Sequence, residues 1–135
     1  MNEKEAINLL IKAGCSSSVI DHCKRVAEYA KEIAVKINEN AVKRGNTADI
    51  DINAVMIGGL LHDIGRSKTH GIRHAVEGAA IAVENGLDEK LVKIIERHIG
   101  AGIFVFRISI DAARRFAHKV GDIHGGFVIQ IAMGV

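Results

Sequence analysis

The chain has 135 residues, 48% hydrophobic and 25% charged, with 18 Lys and Arg against 16 Asp and Glu. That is the length and composition of one globular domain with a core of its own. A net charge of +2, dispersed along the chain, excludes the concentrated basic footprint of a nucleic-acid binder, and no apolar run is long enough to span a bilayer.

Glu3, Lys4 and Glu5 put charges of both signs at the start, unlike a signal peptide. Cys15 and Cys23 are the only cysteines and form neither a Cys-x-x-Cys spacing nor a disulfide framework, which fits a reducing cytoplasm. Cys23 reads as a small packed hydrophobe. Proline is absent and β-branched residues rarely alternate, so the expected fold is all-α.

Residues 3–13 predict a short helix with Ala6, Ile7, Leu10 and Ile11 on one side, closed by Gly14. Ser16, Ser17 and Ser18 offer caps for a second helix from about Val19 to Asn38, with Gly45 well beyond its end. Its apolar stripe is Val19, Cys23, Val26, Ala30, Ile33, Ala34 and Ile37. His22 falls on that stripe, three after Val19 and four before Val26, and so points inward. Asp21 and Lys24 fall on the solvated face.

Residues 40–51 read as a polar connection, with Asp51 as a cap for the third helix. That helix is apolar (Ala54, Val55, Met56, Ile57, Leu60, Leu61) and runs into His62 and Asp63, with Gly65 as its expected end. A helix of this kind is buried. Burying an imidazole and a carboxylate at its end is costly unless they are paired or hold a metal. Arg66 to Gly71 reads as a loop.

A fourth helix is expected from about Ile72 to Glu84, with a small-residue face of His74, Ala75, Gly78, Ala79 and Ala82. Gly86 ends it and Asp88 caps a fifth helix, in which His98 lies seven after Leu91 and four after Ile94 on the buried stripe. Gly100 and Gly102 stop this helix. The tail, 103–135, differs: it holds all four phenylalanines, no Glu follows Glu96, and no Leu follows Leu91. Ile103 to Ile110 alternates like a strand, Asp111 to Val120 reads as a short helix, and Phe127 to Val135 is an apolar end that could pack in the core or pair with a second subunit. Two origins fit: a frameshift or junction near residue 102, or an ordinary C-terminal helix and arm of unusual composition.

Four helices thus each bring one histidine to an apolar face: His22, His62, His74 and His98, with Asp63 beside them. Four independent core histidines would each need a buried hydrogen-bond partner. One metal centre satisfies them together. Imidazole and carboxylate ligands suit Fe, Mn, Zn, Co or Ni, and the histidine-rich set argues against Mg or Ca alone.

The ordered set, His22 in VIDHCKRVAEYA, His62 and Asp63 in GGLLHDIGR, His74 in HGIRHAVEGA and His98 in IIERHIGAG, resembles the HD-domain superfamily of metal-dependent phosphohydrolases. The resemblance covers residues 19 to about 101 and looks like the subgroup that holds two metals. It implies a compact bundle of five or more helices, with residues 1–102 as the domain core and 103–135 as an atypical tail. It also implies that His22, His62, Asp63 and a distal Asp hold one metal, and that Asp63 bridges to a second held by His74 and His98. The cofactor is one or two divalent transition-metal ions. Arg66 stands where the family commonly has a phosphate-contacting Lys. The distal Asp usually sits in an apolar helix after the last His; the tail offers Asp111 and Asp122, neither in such a helix, and Asp122 is at the more plausible distance.

The implied activity is hydrolysis of a nucleotide or other small phosphate ester by a metal-activated water. Asp63 would position the water, while Arg66 and Lys68 would neutralise charge on the phosphate. His70 reads as a loop histidine or a leaving-group acid, and Glu77 as a solvated residue or a support for His74. Two rivals stand beside this reading. One is a metal- or nucleotide-binding module without turnover. The other is a di-iron oxygenase, which Arg66 and Lys68 disfavour. Neither nucleic acid nor membrane is expected as a partner.

Overall fold

The structure is a computed structural model and describes residues 1–100. The expectations for the tail, including Asp111 and Asp122 as ligands, fall outside the described residues. The described part is all-α, as expected, with five α-helices: α1 Glu3–Ala13, α2 Ser17–Lys43, α3 Ile52–Leu61, α4 His74–Glu84 and α5 Glu89–Arg97. Short 3-10 turns, Ile64–Ser67 and His98–Gly100, follow α3 and α5.

Four of the five helices, all but α4, start on a side-chain cap. Asn2 and Glu5 form a reciprocal capping box on α1, through bonds of 2.8 and 3.0 Å. Ser16, Asp51 and Asp88 accept from the amides of Val19, Ala54 and Leu91 at the heads of α2, α3 and α5. Gly14, at φ +89°, closes α1 in the left-handed region.

α2 runs to Lys43, past the expected end at Asn38. Nothing between Asn38 and Arg44 breaks a helix, and Gly45 at φ +76° lies just after the cap. Asn38 instead clasps the returning chain: its Nδ2 donates to the Ile50 carbonyl at 2.9 Å and its Oδ1 accepts from the Ile50 amide at 3.2 Å. This pins the approach to α3.

α3 is the buried centre, and its Val55, Ile57, Leu60 and Leu61 are almost without exposure. It lies along α2, whose Val19, Cys23, Val26, Ala27, Ala30 and Ala34 face inward. A Cβ added at Gly59 would come 2.8 Å from the Ala27 Cα, so the two helices approach closely where glycine faces alanine. In α1 the inward residues are Ala6, Leu9 and Leu10, whereas Ile11 is exposed, which shifts the expected face by a fraction of a turn.

Gly65 does not end α3. The helix stops at Leu61, and Gly65 lies inside the 3-10 turn, packed on the start of α4. A side chain there would fall on the His74 carbonyl. Gly78 sits opposite, where a Cβ would meet Ile95 at 2.8 Å. The small-residue face of α4 lets its neighbours approach closely: His74, Ala75, Gly78, Ala79 and Ala82 are all buried between the turn and α5. α4 starts at His74, two residues after the expected Ile72, which is exposed. Among the described residues, no helix is long and apolar enough to cross a membrane.

Candidate metal centre

His62, Asp63, His74 and His98 converge where α3, the 3-10 turn, α4 and α5 meet, and His22 reaches them from α2. Asp63 is at the centre, with both carboxylate oxygens engaged. Its Oδ1 lies 3.0 Å from His74 Nε2 and 3.3 Å from His98 Nε2. Its Oδ2 lies 3.5 Å from His62 Nε2, 3.7 Å from His22 Nε2 and 2.6 Å from Arg66 Nε. The four imidazoles follow one another around this carboxylate, with centroids 5.3 Å apart for His22 and His62, 5.2 Å for His62 and His98, and 4.9 Å for His74 and His98.

Local backbone chemistry aims three of these rings. His62 and His98 are the residues that cap α3 and α5, and the last four carbonyls of a helix lack an intrahelical partner. His62 Nδ1 donates to one such carbonyl, Gly59, at 2.8 Å, and His98 Nδ1 donates to another, Ile95, at 2.7 Å. His74, at the head of α4, donates from Nδ1 to the Gly71 carbonyl at 2.7 Å. In each case the acceptor lies three residues back. A neutral ring that donates from Nδ1 carries its lone pair on Nε2, and every Nε2 faces Asp63.

His74 Nε2 and His98 Nε2 lie 2.9 Å apart, so with Asp63 Oδ1 they form a tight triangle of acceptors. Two ligands about 2.1 Å from one metal, at tetrahedral or octahedral angles, stand about 3.0–3.4 Å apart. The triangle's edges, 2.9, 3.0 and 3.3 Å, are within 0.1 Å of that range. His22, His62 and Asp63 form a second group of the same kind with slightly longer separations. The donors fit a divalent transition metal on either side of the shared carboxylate.

Burial holds the His62 imidazole far below its ordinary range, to about 3, against the pull of Asp63. It therefore stays neutral at physiological pH, as a ligand must. Burial would push the Asp63 carboxyl up. The Arg66 guanidinium, hydrogen-bonded to it, and the ring of histidines around it outweigh that penalty, and the carboxyl titrates well below the usual carboxylate range.

Behind the centre, Cys15 Sγ donates to the Ile64 carbonyl at 3.5 Å and Cys23 is fully buried. Burial pushes the Cys23 thiol up to about 12, so it packs as an apolar group.

The other expected site residues divide. Arg66 joins the cluster, through Asp63. Lys68 is exposed and borders a shallow hollow of Leu9, Lys12, Ala13, Ile81, Glu84 and Asn85, which includes no cluster residue. His70 is exposed in a bend. Glu77 pairs with Arg73 at 3.8 Å, while the Nδ1 of His74 is held by Gly71, so the solvated reading of Glu77 is the one observed. Sequence reasoning missed the Gly59, Gly71 and Ile95 carbonyls. The available signal was position: two of the histidines stand at helix ends, where carbonyls need donors.

The chain is thus an α-helical bundle that gathers four histidines around one shared carboxylate, in two groups that could each hold a metal ion. Residues 19–112 match the HD domain family, and the chain belongs to it. An uncharacterized protein of Methanocaldococcus jannaschii is 50% identical over 103 residues, which is 76% of this chain and 57% of that protein. A tRNA (cytidine(56)-2'-O)-methyltransferase of Thermoplasma volcanium is 46% identical over 102 residues, and one of Picrophilus torridus 34%. The chain covers 27% of each methyltransferase, so it spans little more than half of the first relative and about a quarter of the other two. No solved structure matches the chain.

Proposed function

We propose that the protein is a metal-dependent phosphohydrolase acting on a nucleotide or another small phosphate ester. The observation that carries this reading is the Asp63 carboxylate, with one oxygen toward His74 and His98 and the other toward His22 and His62. A divalent metal held by Asp63 and these histidines would supply Lewis acidity and lower the pKa of a water toward neutrality. The chain's own contributions follow from geometry. His62, His74 and His98 present their Nε2 lone pairs because backbone carbonyls hold Nδ1. Asp63 is ionised and central. Arg66, half-buried beside it, offers a planar donor set suited to phosphate oxygens and would neutralise charge developing there. Lys68, facing a different hollow, is better placed away from the reacting phosphate.

The test is phosphate release by the full chain, stripped with chelator and reloaded with Mn, Fe, Co, Ni or Zn, against nucleoside monophosphates, cyclic nucleotides and dinucleoside polyphosphates. Metal-dependent release, lost in Asp63→Asn, supports the reading. Tight metal or nucleotide binding with no turnover of any ester selects the non-catalytic module instead. Oxygen uptake by the iron form selects the oxygenase. The panel also includes tRNA, because two relatives are named as tRNA methyltransferases. Phosphate release from tRNA would overturn the small-molecule assignment.

A further inference from the structure

We infer that the two halves of the centre fill in a fixed order, with the Asp63 Oδ1–His74–His98 side first, because the Arg66 guanidinium holds Asp63 Oδ2 against a cation on the other side. The inference rests on the metal-centre reading and deepens it. Two independent observations support it.

The first is fit. On the His74 side the three acceptor atoms are already 2.9, 3.0 and 3.3 Å apart, the spacing that ligands of one ion adopt. On the His22 side the histidine nitrogens stand 3.7 and 3.5 Å from Oδ2, so that side has to contract. His22 is also the more exposed partner: its side chain is 33% exposed, against 8% for His74 and for His98.

The second is charge. Arg66 Nε donates to Oδ2 at 2.6 Å, the shortest approach to Asp63 among its described partners. It lies on the oxygen that the His22 side needs and leaves Oδ1 untouched. A divalent cation bound at Oδ2 would meet a fixed positive charge a few ångströms away. Arginine does not deprotonate to relieve that repulsion. The guanidinium must therefore turn away before or as that half fills. Arg66 is in this sense a positioning residue that sets the relative affinity of the two halves.

The test is a titration of the chelator-stripped full chain with Mn(II) alone, read by calorimetry and by the loss of the free-ion paramagnetic resonance signal. Wild-type protein is expected to take one ion tightly and a second at least about tenfold more weakly. His98→Gln should remove the tight event and His22→Gln the weak one. Arg66→Gln should strengthen the weak event by about tenfold or more and leave the tight one unchanged. Arg66→Lys keeps the charge and should leave the weak event weak, which separates charge from shape. Circular dichroism melts check that each variant is folded. Loss of the tight event in folded His22→Gln, or an unaltered weak event in Arg66→Gln, overturns the ordering while leaving the metal centre intact. No Mn(II) binding by folded wild-type protein overturns both the ordering and the metal centre on which it rests.

Discussion

His74 and His98 bring their Nε2 atoms to 2.9 Å from each other while each gives its Nδ1 proton to a backbone carbonyl. Two lone pairs and the Asp63 carboxylate then share one small volume, an arrangement that a cation relieves. A metal that binds the folded chain and not the unfolded one should stabilise it by about 2.7 kcal/mol at a hundredfold excess over Kd, or about 10 °C in Tm. Differential scanning calorimetry with and without Mn(II) measures the shift. His98→Ala should abolish most of it, and an equal shift in that variant would remove His98 from the ligand set.

Acid should unfold the metal-free protein from an unusually high pH. The buried His62 has its folded value lowered to about 3, against an ordinary value of 6.5. Between those values the unfolded chain binds the proton and the folded chain does not, so stability falls as pH drops from 6.5 toward 3. Asp63, also lowered, acts in the same sense, and its contribution is present above the ordinary 3.8 and is lost on further acidification. Urea midpoints in the presence of chelator should fall steadily from pH 7 to pH 4.5. His62→Gln should flatten that dependence, and a flat wild-type profile would refute the burial argument.

The inward direction of His22, His62, His74 and His98 was legible because each histidine keeps the period of its own helix. The small-residue face of α4 was legible for the same reason. The caps at Ser16, Asp51 and Asp88 were written in residue type. The meaning of Gly65 was not, because a glycine three residues after a helix end looks like a stop whether or not another chain segment passes over it. The contact that reveals its role, with the His74 carbonyl, is tertiary. Arg66 was legible as a cation near the site. Its hold on one particular oxygen of Asp63 depends on how the 3-10 turn folds back, which periodicity does not encode. Lys68, two residues further along that turn, was expected at the phosphate; it is exposed and borders a hollow between α1 and α4, a placement that periodicity does not encode.

Gly65→Ala should be far more disruptive than an ordinary glycine substitution in a turn. The new methyl would strike the His74 carbonyl, and the Gly78 amide lies 2.5 Å from the same point. Neither is the end of a flexible side chain, so the turn must part from α4. Overpacking of this kind costs about 1–3 kcal/mol or more. Because His62, Asp63 and His74 flank that contact, metal affinity should fall with stability. Urea unfolding and elemental analysis of the same preparation test both. Wild-type stability with wild-type metal content would mean that the contact is looser than described.

Asp63→Asn is the substitution that separates the centre from the fold. The side chain keeps its size and one oxygen acceptor, but it loses the negative charge and presents an NH2 group, a donor, toward one of the two histidine pairs. Four imidazoles without an anion balance a divalent cation poorly, and the amide nitrogen does not coordinate it. The released Arg66 then has no carboxylate partner among its described contacts at that position, which leaves another uncompensated charge beside the rings. The expected result is loss of both bound metals by elemental analysis, together with any phosphatase activity. The chelator-treated variant should also be less stable than wild type, by about 1–3 kcal/mol, because only one partner of the partly buried Asp63–Arg66 pair is removed. Retention of two metals by the folded variant would show that Asp63 is not the shared ligand, and the assignment of the centre would fail with it.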